Sequence, residues 1–221
     1  MVDFAVMRRA MVDGQVRTRD VTDLRLLAAM LDLPRERFVP RDDAALAYLD
    51  RDILVSAPGR PPRYLLKPMV LAKLVQAADV RETDRVLDIG CATGYSSAVL
   101  GRLARDVVAL ESDAELARSA AATLTALGAA NTKVVTGPLQ AGWPADGPYN
   151  VIVLEGATEV PPATLQDQLA ENGRLVCVLR RGLAGSAMLY RVLEGEWGGR
   201  PIFDAVAAVL PGYAKAQEFV F

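Results

Sequence analysis

The sequence contains no histidine. That absence removes Ser-His-Asp and Cys-His catalysis and the commonest zinc ligands. Any chemistry here proceeds without the side chain that ordinarily titrates near neutral pH. Cysteine is scarce as well. Cys91 and Cys177 have neither metal-ligand spacing nor a disulfide framework, which fits a reducing cytoplasm, and no metal is expected. Charge of one sign is also lacking: 25 basic residues stand against 27 acidic ones. That balance gives no electrostatic footprint for a polyanion, so no nucleic-acid partner is expected. No uninterrupted apolar run approaches the ~20 residues needed to cross a bilayer, and no membrane partner is expected. Met1 to Val12 carries Asp3, Arg8 and Arg9 and does not read as a secretory signal.

What is present is a chain of 221 residues, 52% hydrophobic, enough for one large domain or one domain with a small extension. Its character changes near residue 78. Residues 1–78 read as a helical extension with Pro- and Arg-rich loops. Asp20 to Leu31 places Leu24, Leu27, Ala28 and Leu31 on one helical face, and Pro34 ends it. A short helix is expected over Arg41 to Asp50, and a loop over Ser56 to Arg63. Pro68 sits at a helix start, with the helix continuing to Ala78.

Residues 79–221 alternate short apolar strands with helices. Strands are expected at Arg85–Ile89, Val107–Leu110, Lys133–Thr136, Val151–Leu154 and Arg174–Leu179. Helices are expected at Tyr95–Ala104, Ala114–Leu127 and Pro162–Ala170, the last stopped by Gly173. This alternation predicts an α/β fold: a doubly wound, mostly parallel sheet covered on both faces. Met188–Leu193 and Ile202–Val209, joined through Glu194–Gly199 without a helix, predict a closing antiparallel hairpin. The two regions are expected to form one compact unit. The apolar terminus, Glu218 to Phe221, suits packing on the domain or on a partner. Oligomeric state is left open.

In a doubly wound sheet, ligands sit at the carboxyl ends of the strands. The loop to inspect is Asp88-Ile89-Gly90-Cys91-Ala92-Thr93-Gly94-Tyr95. Gly90 and Gly94 permit tight turning and close approach to a ligand. A dinucleotide fingerprint needs glycines at its first, third and sixth positions. Here the third is Ala92 and the sixth is Tyr95. Asp88 would repel a pyrophosphate, yet it suits the amino group and sulfonium region of S-adenosylmethionine. Glu111, at the end of the next strand, is placed to accept both ribose hydroxyls. A glycine turn alone is often only a tight turn, and a lone acid at a strand end is often a solvated charge. Together, in this strand context, they predict an adenosyl-ligand site and favour S-adenosylmethionine over NAD.

The residues then carry a family resemblance. Met11-Val12 followed by Gln15-Val16-Arg17, the segment Ala29 to Pro40, Ala47 to Asp50, Val86 to Tyr95 with Ala98 to Leu100, Gly142-Trp143-Pro144, and Gln168-Leu169 with Gly173 to Val176 resemble the protein-L-isoaspartate (D-aspartate) O-methyltransferase family. The likeness runs from about residue 11 to 180, and its Leu33–Pro40 segment is specific. It implies a Rossmann-like S-adenosylmethionine-dependent methyltransferase fold with C-terminal antiparallel strands and an N-terminal helical extension. It also implies protein repair: methylation of the free carboxylate of an isoaspartyl residue, after which the ester collapses to a succinimide. Such a carboxylate, with an unperturbed pKa near ~3.9, is already ionised at neutral pH, so no general base is required. Catalysis would then be mainly alignment.

The chain departs from the family at the site. The family's catalytic serine aligns with Leu66, which has no hydrogen-bond donor in its side chain, and Lys67 follows it. Two readings of Lys67 stand: it orients the incoming carboxylate in the serine's place, or it is a solvated loop lysine. The family's Gly-Asp-Gly by the adenine becomes Gly137-Pro138-Leu139. Glu155 in Leu154-Glu155-Gly156-Ala157 adds a negative charge after the fourth strand. On the resemblance, Asp88, Gly90, Cys91, Ala92, Gly94, Glu111, Gly137, Pro138 and Leu139 would hold the cofactor, Pro138 and Leu139 flanking the adenine. Leu66 and Lys67 would occupy the catalytic positions, with the loop from Arg60 to Pro68 over the acceptor. Two alternatives remain: a catalytically diverged or regulatory S-adenosylmethionine-binding paralogue, and an NAD-linked oxidoreductase.

Overall fold

A computed structural model describes residues 3–216, so the apolar terminus at Glu218–Phe221 lies outside the described residues. The chain begins with α1 (Phe4–Met11), capped by the Asp3 carboxylate, which accepts from the amides of Ala5 and Val6. A π-helical turn follows at Val12–Val16. The helix expected from Asp20 starts later, as α2 (Leu24–Asp32). The reason is local: the Asp23 carboxylate accepts from the Arg25 and Leu26 amides, making Asp23 the cap. The short helix expected at Arg41–Asp50 is only a 3-10 turn, Arg41–Leu46.

A two-stranded hairpin was not foreseen. Strand β1 (Ile53–Leu54) pairs antiparallel with β2 (Tyr64–Leu65), and the expected loop runs between them. Helix α3 (Pro68–Ala78) starts at the proline, as expected.

The α/β part follows the predicted order. Strand β3 (Arg85–Ile89) feeds α4 (Tyr95–Gly101), β4 (Asp106–Glu111) feeds α5 (Ala114–Ala126), and β5 (Thr132–Thr136) follows. Strands β6 (Tyr149–Thr158) and β7 (Leu169–Arg181) continue the sheet, and β8 (Ala184–Leu193) and β9 (Glu196–Asp204) close it. The order is β5-β4-β3-β6-β7-β8-β9, parallel from β5 to β7 and antiparallel from β7 to β9. The strand order reverses direction beside β3, which is where such sheets form their ligand crevice.

Three expectations need correction. Pro162–Ala170 forms a 3-10 turn at Ala163–Gln168, not an α-helix, and β7 starts at once at Leu169. Gly173 therefore lies inside β7 and stops no helix; a Cβ there would meet the Ala170 carbonyl oxygen at 2.6 Å. The closing hairpin turns at Glu194 and Gly195, both with positive φ, so Trp197–Gly199 belongs to β9 and residues 205–209 do not. Helix α4 ends at Gly101, short of Ala104.

Both faces of the sheet are buried. One layer includes Val86, Val107, Val151 and Val178 and is continuous with Met11, Leu27 and Phe38 of the first 78 residues. The other includes Leu87, Ile89, Leu110, Leu154 and Leu175. Among the described residues, no helix is long and apolar enough to cross a membrane.

Candidate cofactor and acceptor site

The glycine loop leaves β3 at the expected crevice. Gly90 and Gly94 have φ of 78° and 94°, and Ala92, with a side chain, is also left-handed at 51°. That conformation is disfavoured for alanine, and a hydrogen bond holds it: the Ala92 amide donates to Glu111 Oε2 at 2.8 Å. Glu111 is fully buried. Its Oε1 accepts from the amides of Ser112 and Asp113 at 2.8 and 3.1 Å and from the Ser112 hydroxyl. The acid proposed for ribose is thus also the post on which the loop is tied.

Asp88 is fully buried. Its Oδ2 accepts from the hydroxyls of Ser96 and Ser97 at 2.7 and 2.5 Å, while Oδ1 has no partner. Burial raises its pKa to about 6, against the lowering effect of the two hydroxyls. Nearby Glu155 is buried with Oε1 unpaired, and burial followed by the charge of Asp88 pushes its carboxyl well above the usual range. Cys91 is buried, and desolvation raises its thiol well above the ordinary value.

The remaining candidates divide. Gly94 faces α5: a Cβ there would meet Ala120 Cβ at 3.1 Å and Leu124 Cδ1 at 3.2 Å. Gly137 faces Trp143 and Leu110. Pro138 precedes a 3-10 turn that begins at Leu139, and Leu139 is buried beside the glycine loop. Tyr95, the residue that spoils a dinucleotide fingerprint, is fully buried under Phe38 and Arg35. Its ring lies edge-on to Phe38 at 5.4 Å, with the Arg35 guanidinium 4.5 Å above it. This packing makes the sixth loop position a buried packing residue, which argues against the NAD-linked reading.

Sequence reasoning missed the residues that fill the crevice. Arg63 Nη2 donates to Glu111 Oε2 at 2.7 Å and to the Gly90 carbonyl at 2.9 Å. The segment after β9 lies across the same space. Leu210 donates its amide to the Ala157 carbonyl, the Ala157 amide donates to Ala208, and the Tyr213 hydroxyl donates to the Leu139 carbonyl. A Cβ on Gly90 would meet Arg63 Nη2 at 2.8 Å and Leu210 Cδ2 at 2.9 Å, and one on Gly156 would meet Leu210 Cδ2 at 2.7 Å. The space that glycine opens to a ligand is taken by the chain itself. Beside these residues a small pocket of about 10 Å³ is bordered by Arg63, Leu66, Glu155 and Leu210, about one water molecule's worth. The donor set has the chemistry for an adenosyl ligand, and as arranged Arg63 and Leu210 cover the face of Gly90, with Arg63 on Glu111. The visible signals were slight: an arginine ahead of an apolar pair, and an apolar run stopped by Pro211-Gly212.

Leu66 is buried, and its carbonyl accepts from Arg35 Nη2 at 2.7 Å; Arg35 Nε donates to the Ala47 carbonyl at 2.8 Å. Arg35 is completely buried, and desolvation lowers its pKa. The family-specific segment therefore anchors the loop carrying Leu66, and Thr93 joins it by donating its hydroxyl to the Phe38 carbonyl at 2.5 Å. Lys67 is tethered through its amide to Asp52 Oδ1 at 2.8 Å. It lines an open cavity of about 700 Å³ at the carboxyl end of β7 and the amino end of β8, with Arg181, Asp204, Ala205 and Val206.

The comparisons agree with this architecture. The family model described as protein-L-isoaspartate(D-aspartate) O-methyltransferase matches residues 7–194. Protein-L-isoaspartate O-methyltransferase 2 of Anaeromyxobacter sp. (strain Fw109-5) is 40% identical over 169 residues, covering 76% of this chain and 68% of its own. The protein-L-isoaspartate O-methyltransferase of Roseiflexus sp. (strain RS-1) is 38% identical over 175 residues, covering 79% and 78%. A solved protein-L-isoaspartate O-methyltransferase superposes with a TM-score of 0.82 at 24% identity, over 93% of this chain and 66% of that one. A Plasmodium falciparum protein solved in complex with S-adenosyl-L-homocysteine superposes at 0.77 and 17% identity, over 92% and 97%. Glycine loop, strand-end acid, strand order and matched length lead to one conclusion: the chain has the Rossmann-like methyltransferase fold and belongs to the protein-L-isoaspartate (D-aspartate) O-methyltransferase family.

Proposed function

We propose that this chain is an S-adenosylmethionine-dependent O-methyltransferase whose acceptor is the free carboxylate of an isoaspartyl residue in a protein or peptide. The observation that carries this reading is the placing of Asp88, Gly90 and Glu111 at adjacent strand ends, inside a chain that matches the family over residues 7–194. An isoaspartyl carboxylate is ionised at neutral pH, so the protein supplies position and charge and takes up no proton.

The acceptor side supports Lys67 as the orienting group. Leu66 offers no polar side-chain atom, and its carbonyl is held by Arg35. Lys67 and Arg181 bring two cationic side chains to the wall of the 700 Å³ cavity against one carboxylate, Asp204. That excess suits an anionic peptide. Two free, buried cysteines support a reducing cytoplasm as the compartment. The continuous core supports treating residues 1–78 and 79–221 as one compact unit.

The test is labelled-methyl transfer from S-adenosylmethionine to an isoaspartyl peptide, with the matching aspartyl peptide as control. Label on the isoaspartyl peptide alone supports the reading. Label on neither peptide, with cofactor binding demonstrated, removes isoaspartate as the acceptor.

A further inference from the structure

We propose that the chain keeps its own cofactor cleft shut with a two-part latch, Arg63 on one side and the segment Ala205–Tyr213 on the other, and that ligand enters only when both parts leave. This rests on the reading of the cleft as an S-adenosylmethionine site.

The first part is the Arg63 guanidinium. It takes the Oε2 of Glu111 and the carbonyl of Gly90, the acceptors that face the cleft. It is reached through a tight hairpin: the Val55 amide donates to the Arg63 carbonyl, and the Arg63 amide donates to the Ser56 hydroxyl. The second part is Leu210, 2% exposed, pressed on the bare faces of Gly90 and Gly156. It is held by a contact in which Val209 pairs with Ala157, near the end of the interior strand β6, as a single parallel bridge. Glu159 and Tyr213 secure its far end through the Glu159 amide and the Tyr213 carbonyl.

Two observations make this a movable closure and not a lost site. First, the closed state is polar and incompletely satisfied. Arg63 Nε, Asp88 Oδ1 and Glu155 Oε1 are all buried without partners. Buried polar groups ordinarily find partners, and an unpaired set converging on one cleft marks an arrangement that a polar ligand can improve. Second, Glu111 does not need Arg63 to stay in place, because four other donors hold it: the amides of Ala92, Ser112 and Asp113 and the Ser112 hydroxyl. Withdrawing Arg63 leaves the loop tied and turns an oxygen of Glu111 toward the cleft.

The latch also divides two spaces. Ala205 and Val206 line the large cavity beside Lys67, whereas Ala208, Val209 and Leu210 line the cleft remnant beside Leu66. Residues 205–210 are the partition between the acceptor side and the cofactor side. Displacing them opens the cleft and joins the two.

The experiment is calorimetric titration of S-adenosylmethionine into the wild-type chain, Leu210→Ala, and Arg63→Ala/Leu210→Ala, each checked for a cooperative thermal transition. A closed latch taxes the apparent affinity by the fraction of molecules that are open. Removing it is expected to tighten binding at least about tenfold in Leu210→Ala and further in the double variant. Wild type binding as tightly as both variants would overturn the latch and leave the methyltransferase reading standing. Absence of binding by all three folded proteins would overturn both. Hydrogen exchange on the wild type covers the case in which a variant does not fold. With saturating ligand, the Leu210 and Glu159 amides are expected to exchange at least about tenfold faster. Ligand bound with their exchange unchanged would equally overturn the proposal.

Discussion

The guanidinium of Arg63 lies 2.7 Å from the carboxylate of Glu111, with side-chain exposures of 4% and 0%. Two residues 48 positions apart thus form a buried ion pair at the proposed cofactor site. The pair is asymmetric: Arg63 has two acceptors there, Glu111 and the Gly90 carbonyl, whereas Glu111 has four further donors that also hold the glycine loop.

That asymmetry sets unequal costs. Glu111→Ala strands a buried cation and releases Ala92 from its left-handed conformation, and is expected to destabilise by about 3–5 kcal/mol. Arg63→Ala leaves a carboxylate still held by neutral donors, and is expected to cost about 1–3 kcal/mol. Urea denaturation of the two variants at pH 7 measures the difference; equal losses would contradict the account of Glu111 as the tether.

Asp88 gives a pH dependence. Its pKa is raised on folding to about 6, so the native state binds the proton more tightly than the unfolded chain. Stability from this group is full at pH below the unfolded value and falls as pH rises through about 6. Glu155, raised for the same reason, acts in the same direction. Asp88→Asn keeps an oxygen for the Ser96 and Ser97 hydroxyls and removes the charge. It is expected to stabilise by about 1–3 kcal/mol at pH 8, an advantage that shrinks toward pH 5. Chemical denaturation at the two pH values tests this, and a constant difference between wild type and variant would refute it.

Arg35 spans two carbonyls, those of Ala47 and Leu66, while lying over the Tyr95 ring. A lysine ammonium cannot serve both with one planar fork. Arg35→Lys is expected to cost about 2–4 kcal/mol and to loosen the loop at Leu66–Lys67. Calorimetric unfolding reports the first effect, and faster hydrogen exchange at the Lys67 amide, bonded here to Asp52, reports the second.

Lys67 and Arg181 share the wall of the acceptor-side cavity. If they hold an incoming carboxylate, Lys67→Ala should raise KM for an isoaspartyl peptide by about 2–5-fold with kcat nearly unchanged, the size of one partly solvated ion pair. The effect should fade at high salt. A salt-insensitive loss confined to kcat would assign Lys67 another role.

Much of the sheet was legible because the patterns that encode it are local. Apolar runs such as Arg85–Ile89 and Asp106–Glu111 alternate with helical stretches, and a glycine loop follows the first of them. The elements that were missed lack such a pattern. Gly173 looked like a helix stop because glycine usually is one there, yet β7 begins four residues earlier and the glycine serves close packing within it. The β1–β2 hairpin is two residues a side, too short for a period to show. The tight fit of Gly94 against Ala120 and Leu124 of α5 was equally hidden, because those residues lie on another element.

The family, a mostly parallel sheet and the convergence of Asp88, Gly90 and Glu111 on one crevice were already legible in the chain, since each follows from residue type at a fixed spacing. The order of the strands within the sheet and the occupants of that crevice follow from long-range packing. Arg63 and Leu210 reach it from 48 residues before Glu111 and 99 residues after it. No local pattern marks either residue for this use, because a buried carboxylate and a bare glycine face recruit whichever cation and apolar side chain the folded chain brings within reach.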